Sequence, residues 1–218
     1  MSMLQIKETK KLFYGKYQYK IVLVCRGAYL FRLKDLDKIY DRLSNLTIET
    51  EPKSQYGYYR QVRVDTKEEY KYCVDLYTTL SLINNFSLRV EQPLITVYSN
   101  NKEDIDKLSD LDPLKVKYIS IPLITLEENV IVMNDTPYEF RVTVGKGVQD
   151  LTSFVEWANN SRNIKMAQGC KDGLSRKNRH THNYFYVNGE KNLLMVKMQI
   201  GRDINRIEKI INRSKVNL

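Results

Sequence analysis

The stretch 175–187, SRKNRHTHNYFYV, gathers three basic residues (Arg176, Lys177, Arg179), the chain's two histidines (His180, His182), and Tyr184 and Tyr186. Each type carries its own chemistry. Imidazole titrates near neutrality, so it can move a proton or ligate a metal. Guanidinium and ammonium groups neutralise phosphate. Phenol rings offer faces on which unpaired bases stack. In a strand alternate residues share a face. His180, His182, Tyr184 and Tyr186 then form one stripe, and Thr181, Asn183, Phe185 and Val187 the other.

Three functions compete for this stripe. The histidine pair resembles the His-hydrophobic-His metal site of rolling-circle replication nucleases, but its middle residue is Thr181 and no Tyr-x-x-Lys follows. A zinc site wants four ligands, or three and water, and the Cys-x9-His-x-His spacing from Cys170 matches no common pattern. A metal-independent ribonuclease could use His180 or His182 as acid or base, with the neighbouring cations stabilising the transition state. Such chemistry wants a partner across the scissile bond, and both histidines project from one side. A stacking surface beside a basic loop needs no further residue. Arg176, Lys177, Arg179, His180, His182, Tyr184 and Tyr186 are therefore expected to contact nucleic acid, with no catalytic residue, metal or cofactor. The plainer alternative is a solvated loop running into a half-buried strand.

A second cluster, KETKKLFYGKYQYK at 7–20, interleaves five lysines with aromatic residues, and Lys10, Lys11, Tyr14, Lys16 and Tyr17 join the expected contacts. YGYYR at 56–60 is a weaker third. VGKGV at 144–148 places Lys146 in a two-glycine turn before a helix, where glycine's freedom is sufficient explanation. There is no P-loop and no G-x-G-x-x-G, and no carboxylates stand at metal-binding spacing.

With a formal charge of +9 over 218 residues, the chain favours a polyanionic partner. A composition 42% hydrophobic and 28% charged marks a globular chain, and sixteen tyrosines suit strands and contact surfaces. Cys25, Cys73 and Cys170 are widely spaced and odd in number, which reads as thiols in a reducing compartment. The N-terminal region lacks the apolar core of a signal peptide, and no apolar run is long enough for a membrane span. A cytoplasmic protein without a membrane partner is expected.

These residues need elements to position them. Residues 17–32 read as two extended pieces around Gly27, and 35–43 as a helix. Thr66 caps a long amphipathic helix, and Asn100 or Asn101 a shorter one. Strands are expected at 86–99, interrupted at Pro93, and at 116–123, 129–133, 138–144 and up to Val187. Helices follow at 148–161, before Gly201, and at 202–213, where Ile204, Ile207, Ile210 and Ile211 oppose Arg202, Arg206, Lys209 and Arg213. Paired strands among helices give an α+β class with mixed or antiparallel sheets and ferredoxin-like (split β-α-β) elements. Two halves are expected, 1–135 and a ferredoxin-like 136–218 packed on it or continuous with it as one domain. No sequence repeat is strong enough to establish duplication.

The runs LRVEQPLITVYSNN, YEFRVTVGKG and YFYVNGEKNLL resemble segments of small uncharacterised proteins encoded by tailed bacteriophages. The resemblance implies a viral origin and work in the host cell cytoplasm, and it carries no activity or site residue. The favoured function is non-catalytic binding of RNA or single-stranded DNA. The alternatives are a phage protein that binds and modulates a host protein, and the ribonuclease above.

Overall fold

The computed structural model describes residues 4–46, 64, 66–145, 150–175 and 183–216. The protein is α+β, with two five-stranded mixed sheets in two compact units, Met1–Thr125 and Leu126–Leu218. The division lies before the strand Val130–Met133 rather than after residue 135, because that strand pairs with the last strand of the second unit.

The first unit contains strands β1 (Ile6–Thr9), β2 (Tyr19–Val24), β3 (Ser87–Glu91), β4 (Leu94–Ser99) and β5 (Val116–Pro122). Its helices are α1 (Leu36–Ser44), α2 (Lys67–Ser81) and α3 (Lys102–Leu111). The sheet order is β1-β5-β2-β4-β3; β1 runs parallel to β5 and the other pairs are antiparallel. Side-chain caps start each helix. Asp35 accepts from the amides of Asp37 and Lys38, Thr66 from Glu69, and Asn101 from Glu103, satisfying donors a helix start leaves orphaned. Alternate strand residues Ile21, Leu23, Ile95, Val97 and Ile119 bury against Leu76, Leu80, Ile105 and Leu108 of α2 and α3. Lys20, Val22, Thr96 and Tyr98 therefore belong to the opposite face.

The extended reading of 17–32 holds only for β2. Arg26–Leu33 is a 3-10 helix burying Ala28, Leu30 and Phe31. Gly27 is the reason the chain can turn in here: a Cβ at this position would lie 2.4 Å from Cys73 Sγ.

The second unit contains β6 (Val130–Met133), β7 (Phe140–Val144), α4 (Thr152–Asn159), β8 (Ile164–Lys165), α5 (Gln168–Leu174), β9 (Asn183–Val187), α6 (Glu190–Ile200) and β10 (Ile204–Asn212). The order is β6-β10-β7-β9-β8, with β6 parallel to β10 and the rest antiparallel. Val142, Val144, Phe185 and Val187 bury against Phe154, Val155, Leu193 and Val196. The expected C-terminal helix is instead the strand β10. A register shift between Ile204 and Arg206 brings Ile204 and Ile207 both onto the helix-covered core, so a bulge produces a three-residue spacing that imitates a helix. Helix α5, with glycines at 169 and 173, reads as loop in the sequence.

Among the described residues no helix is long and apolar enough to cross a membrane.

Candidate nucleic-acid interface

Strand β9 builds the clearest part of the candidate surface. Asn183, Phe185 and Val187 are buried, while Tyr184 is 46% exposed and Tyr186 half-buried on the other face. That face is turned away from α4 and α6, whose side chains share the core with Phe185 and Val187. The rings of Tyr184 and Tyr186 meet edge to face, centroids 5.8 Å apart, and Tyr138 adds a third ring 6.0 Å from Tyr186. Burial, with the neighbouring Tyr184 second, pushes the Tyr186 hydroxyl above its ordinary pKa.

Cations flank the rings from the adjoining strands. Lys165 of β8 and Arg141 of β7 both lie opposite Tyr186, and Thr143 lies between Tyr184 and Arg206 of β10. Arg141 and Arg206 differ in role. The Arg141 guanidinium stands 5.4 Å from the Tyr184 ring centroid, and its Nε donates to Glu208 Oε2 at 2.6 Å while a second nitrogen pairs with the same oxygen. The Glu208 side chain is buried, 3% exposed, and that of Arg141 largely so, 16% exposed. Arg141 is thus neutralised by Glu208 and braces Tyr184 by a cation–π contact. Arg206, 3.8 Å from Glu208, and Lys165 are exposed.

The first unit carries its own basic-aromatic surface, also on the sheet face opposite its helices. Phe13–Tyr17 forms a tight turn in which Lys16 N donates to Phe13 O at 3.0 Å. Its central residues, Tyr14 and Gly15, have φ of 55° and 70°. For a bulky side chain positive φ is a strained state, of the kind that gathers at functional positions. The turn seats Phe13, Tyr14 and Tyr17 on Tyr98 of β4, with centroids 5.5, 5.0 and 6.2 Å away. Tyr17 and Tyr98 are buried by the contact, whereas Tyr14 stays 65% exposed. A hydrogen bond with Tyr98, then one with Arg89, holds the Tyr14 hydroxyl below its ordinary pKa, and burial drives Tyr98 upward. Lys20 donates to the Tyr118 hydroxyl at 3.1 Å and lies 4.8 Å from the rings of Phe13 and Tyr118. Lys10, Lys11 and Lys16 are exposed around the turn.

The structure therefore brings together Lys10, Lys11, Tyr14, Lys16 and Tyr17, with Tyr17 as a buried support, and separately Tyr184 with Tyr186. Arg176, Lys177, Arg179, His180, His182, Lys146 and residues 56–60 lie outside the described residues. Lys165, Arg141 and Glu208 escaped the sequence analysis because they come together with Tyr184 and Tyr186 only through strand pairing, and Arg206, expected on the basic face of a C-terminal helix, lies instead on strand β10. Among the described residues no group of three or more His, Cys, Asp or Glu is placed to hold a metal ion. Comparison with protein-family models, curated proteins and solved structures gives no match.

Proposed function

We propose that the protein binds single-stranded nucleic acid, RNA or DNA, without catalysing a reaction, by stacking bases on exposed tyrosines while neighbouring cations hold the phosphates. The observation that carries this reading is Tyr184, 46% exposed on the helix-free face of its sheet, with Lys165 exposed opposite its neighbour Tyr186 and Arg206 exposed on the same face two strands away. Every base has a π face, so such a platform tolerates sequence, and the +9 charge supplies the attraction that brings a polyanion to it.

The finer fold assignment supports the same reading. In each unit the four strands β2, β3, β4, β5 or β7, β8, β9, β10 run antiparallel in the order fourth, first, third, second. We take this order as that of a ferredoxin-like split β-α-β plan with an added parallel edge strand. Such a sheet keeps one face clear of helices, and that face is where base-stacking aromatics sit in RNA-binding modules of this plan.

The test is equilibrium binding of a fluorescent oligouridylate or oligothymidylate. Stacking is worth about 1–3 kcal/mol per base, so Tyr184→Thr, which keeps a strand-compatible side chain, is expected to weaken binding about tenfold or more. Tyr184→Phe should bind nearly as the parent does. Equal affinity for the parent and Tyr184→Thr, or no binding by the parent at low salt, removes the proposal.

A further inference from the structure

Strand order and directions coincide in the two units: numbered within each, both sheets run 1-5-2-4-3 with the first and last strands parallel. Pairing register turns this into a residue-by-residue correspondence. Lys20 lies opposite Tyr98 across β2 and β4, and Arg141 lies opposite Tyr186 across β7 and β9. Around these pairs Tyr19-Lys20-Ile21-Val22-Leu23 matches Phe140-Arg141-Val142-Thr143-Val144, an aromatic, a cation, then alternating core residues. Val97-Tyr98-Ser99-Asn100 matches Phe185-Tyr186-Val187-Asn188, and a helix follows in both, starting at Lys102 and Glu190. The offset is constant, 98 to 186, and it carries buried Ile105 and Leu108 of α3 onto buried Leu193 and Val196 of α6. A tyrosine with a cation across the strand pair thus occurs twice, each time on the face away from the helices.

The two copies differ in what covers that tyrosine. In the first unit the turn at Phe13–Tyr17 lays aromatic rings on Tyr98 and leaves Tyr14 outermost, 65% exposed. In the second, Tyr184 and Tyr186 themselves form the surface. What the first unit seats on its tyrosine shows what the position accepts: flat aromatic rings, edge or face on, among lysine and arginine side chains. A nucleobase with its phosphate has that chemistry.

We propose that the units are repeats of one module, each carrying one half-site for a short single-stranded segment: Tyr14 over Tyr98 with Lys10, Lys11 and Lys16 in the first, Tyr184 and Tyr186 with Lys165 and Arg206 in the second. This rests on the proposed nucleic-acid function and extends it to two ligand segments per chain. The strain at Tyr14 fits the account, since positive φ costs roughly 1 kcal/mol for a side chain with a Cβ and here aims a ring outward.

The experiment is a stoichiometric titration of the full chain with a fluorescent oligouridylate of about four nucleotides, near the smallest segment a single-strand site engages. Two oligonucleotides per chain are expected. Tyr14→Gly preserves the left-handed turn, because glycine tolerates positive φ, so its loss of one equivalent reports lost binding rather than lost folding. Tyr184→Thr with Lys165→Ala is expected to remove the other equivalent, and the combined variant both. One oligonucleotide per chain, untouched by Tyr14→Gly, overturns the half-site of the first unit, and with it the two-site account, while leaving the proposed function standing. No binding by the parent chain overturns both.

Discussion

Replacing Glu208 by alanine is expected to be among the most damaging single changes in the second unit. Glu208 is 2% exposed, and its charge is matched by Arg141, held through Nε at 2.6 Å and a second nitrogen. Removing one partner strands a guanidinium whose side chain is only 16% exposed. Losing one partner of a buried pair costs about 3–5 kcal/mol, a large fraction of the roughly 5–15 kcal/mol that stabilises a domain. Replacing both partners by apolar residues, Arg141→Met with Glu208→Leu, is expected to recover most of that loss, because it also removes the desolvation penalty. The assay is urea unfolding followed by the single tryptophan, Trp157, which packs against the second unit's core and so reports on that unit. A Glu208→Ala cost below about 1 kcal/mol, the range of solvated surface pairs, would refute the reasoning, as would a double variant no more stable than Glu208→Ala alone.

Further outcomes follow from the first unit. Tyr72 has a buried hydroxyl without a hydrogen-bond partner among the described residues, a loss of about 1–3 kcal/mol. Tyr72→Phe, which keeps the ring 3.8 Å from Lys115 Nζ, should therefore raise stability by about 1 kcal/mol in unfolding followed by circular dichroism, and a fall would contradict this. Gly27→Ala would place a Cβ 2.4 Å from Cys73 Sγ and 2.9 Å from Val64 Cγ2. It should cost about 1–3 kcal/mol, partly recovered by Cys73→Ala; no cost, or no recovery, would argue against that contact. Cys25 and Cys73 are buried with sulfurs 3.7 Å apart. Thiol titration of the unfolded, unreduced protein should count all three cysteines, and a count of one would mean that this pair had become a disulfide.

The helices with polar caps were legible in the sequence. Thr66 and Asn101 start α2 and α3 as their spacing implies, and the hairpin of β3 and β4 breaks around Pro93. Tyr184 and Tyr186 were legible as one face because strand alternation needs only the sequence. Strand β10 was not, since its bulge puts Ile204 and Ile207, three residues apart, on one face, a helical spacing, while their β-branched character favours a strand. The 3-10 helix at Arg26–Leu33 was hidden by aromatic residues that suit strands equally well. The pairing of Arg141 with Glu208 spans 67 residues, and the matching of the two sheets rests on strand order and register. Neither leaves a local signal. Only with the register in hand do Tyr98 and Tyr186 stand out as counterparts.

The most direct test of nucleic-acid binding through these surfaces is the salt dependence of oligouridylate affinity, measured by fluorescence anisotropy on the parent chain and on a Lys10→Ala, Lys11→Ala, Lys16→Ala variant. Each phosphate contact contributes about 0.7 to the slope of log affinity against log salt for a single strand. The account predicts tight binding at low salt, a steep negative slope for the parent, and a slope shallower by about 2 in the triple variant. No binding at low salt, or identical slopes for the two proteins, would contradict it.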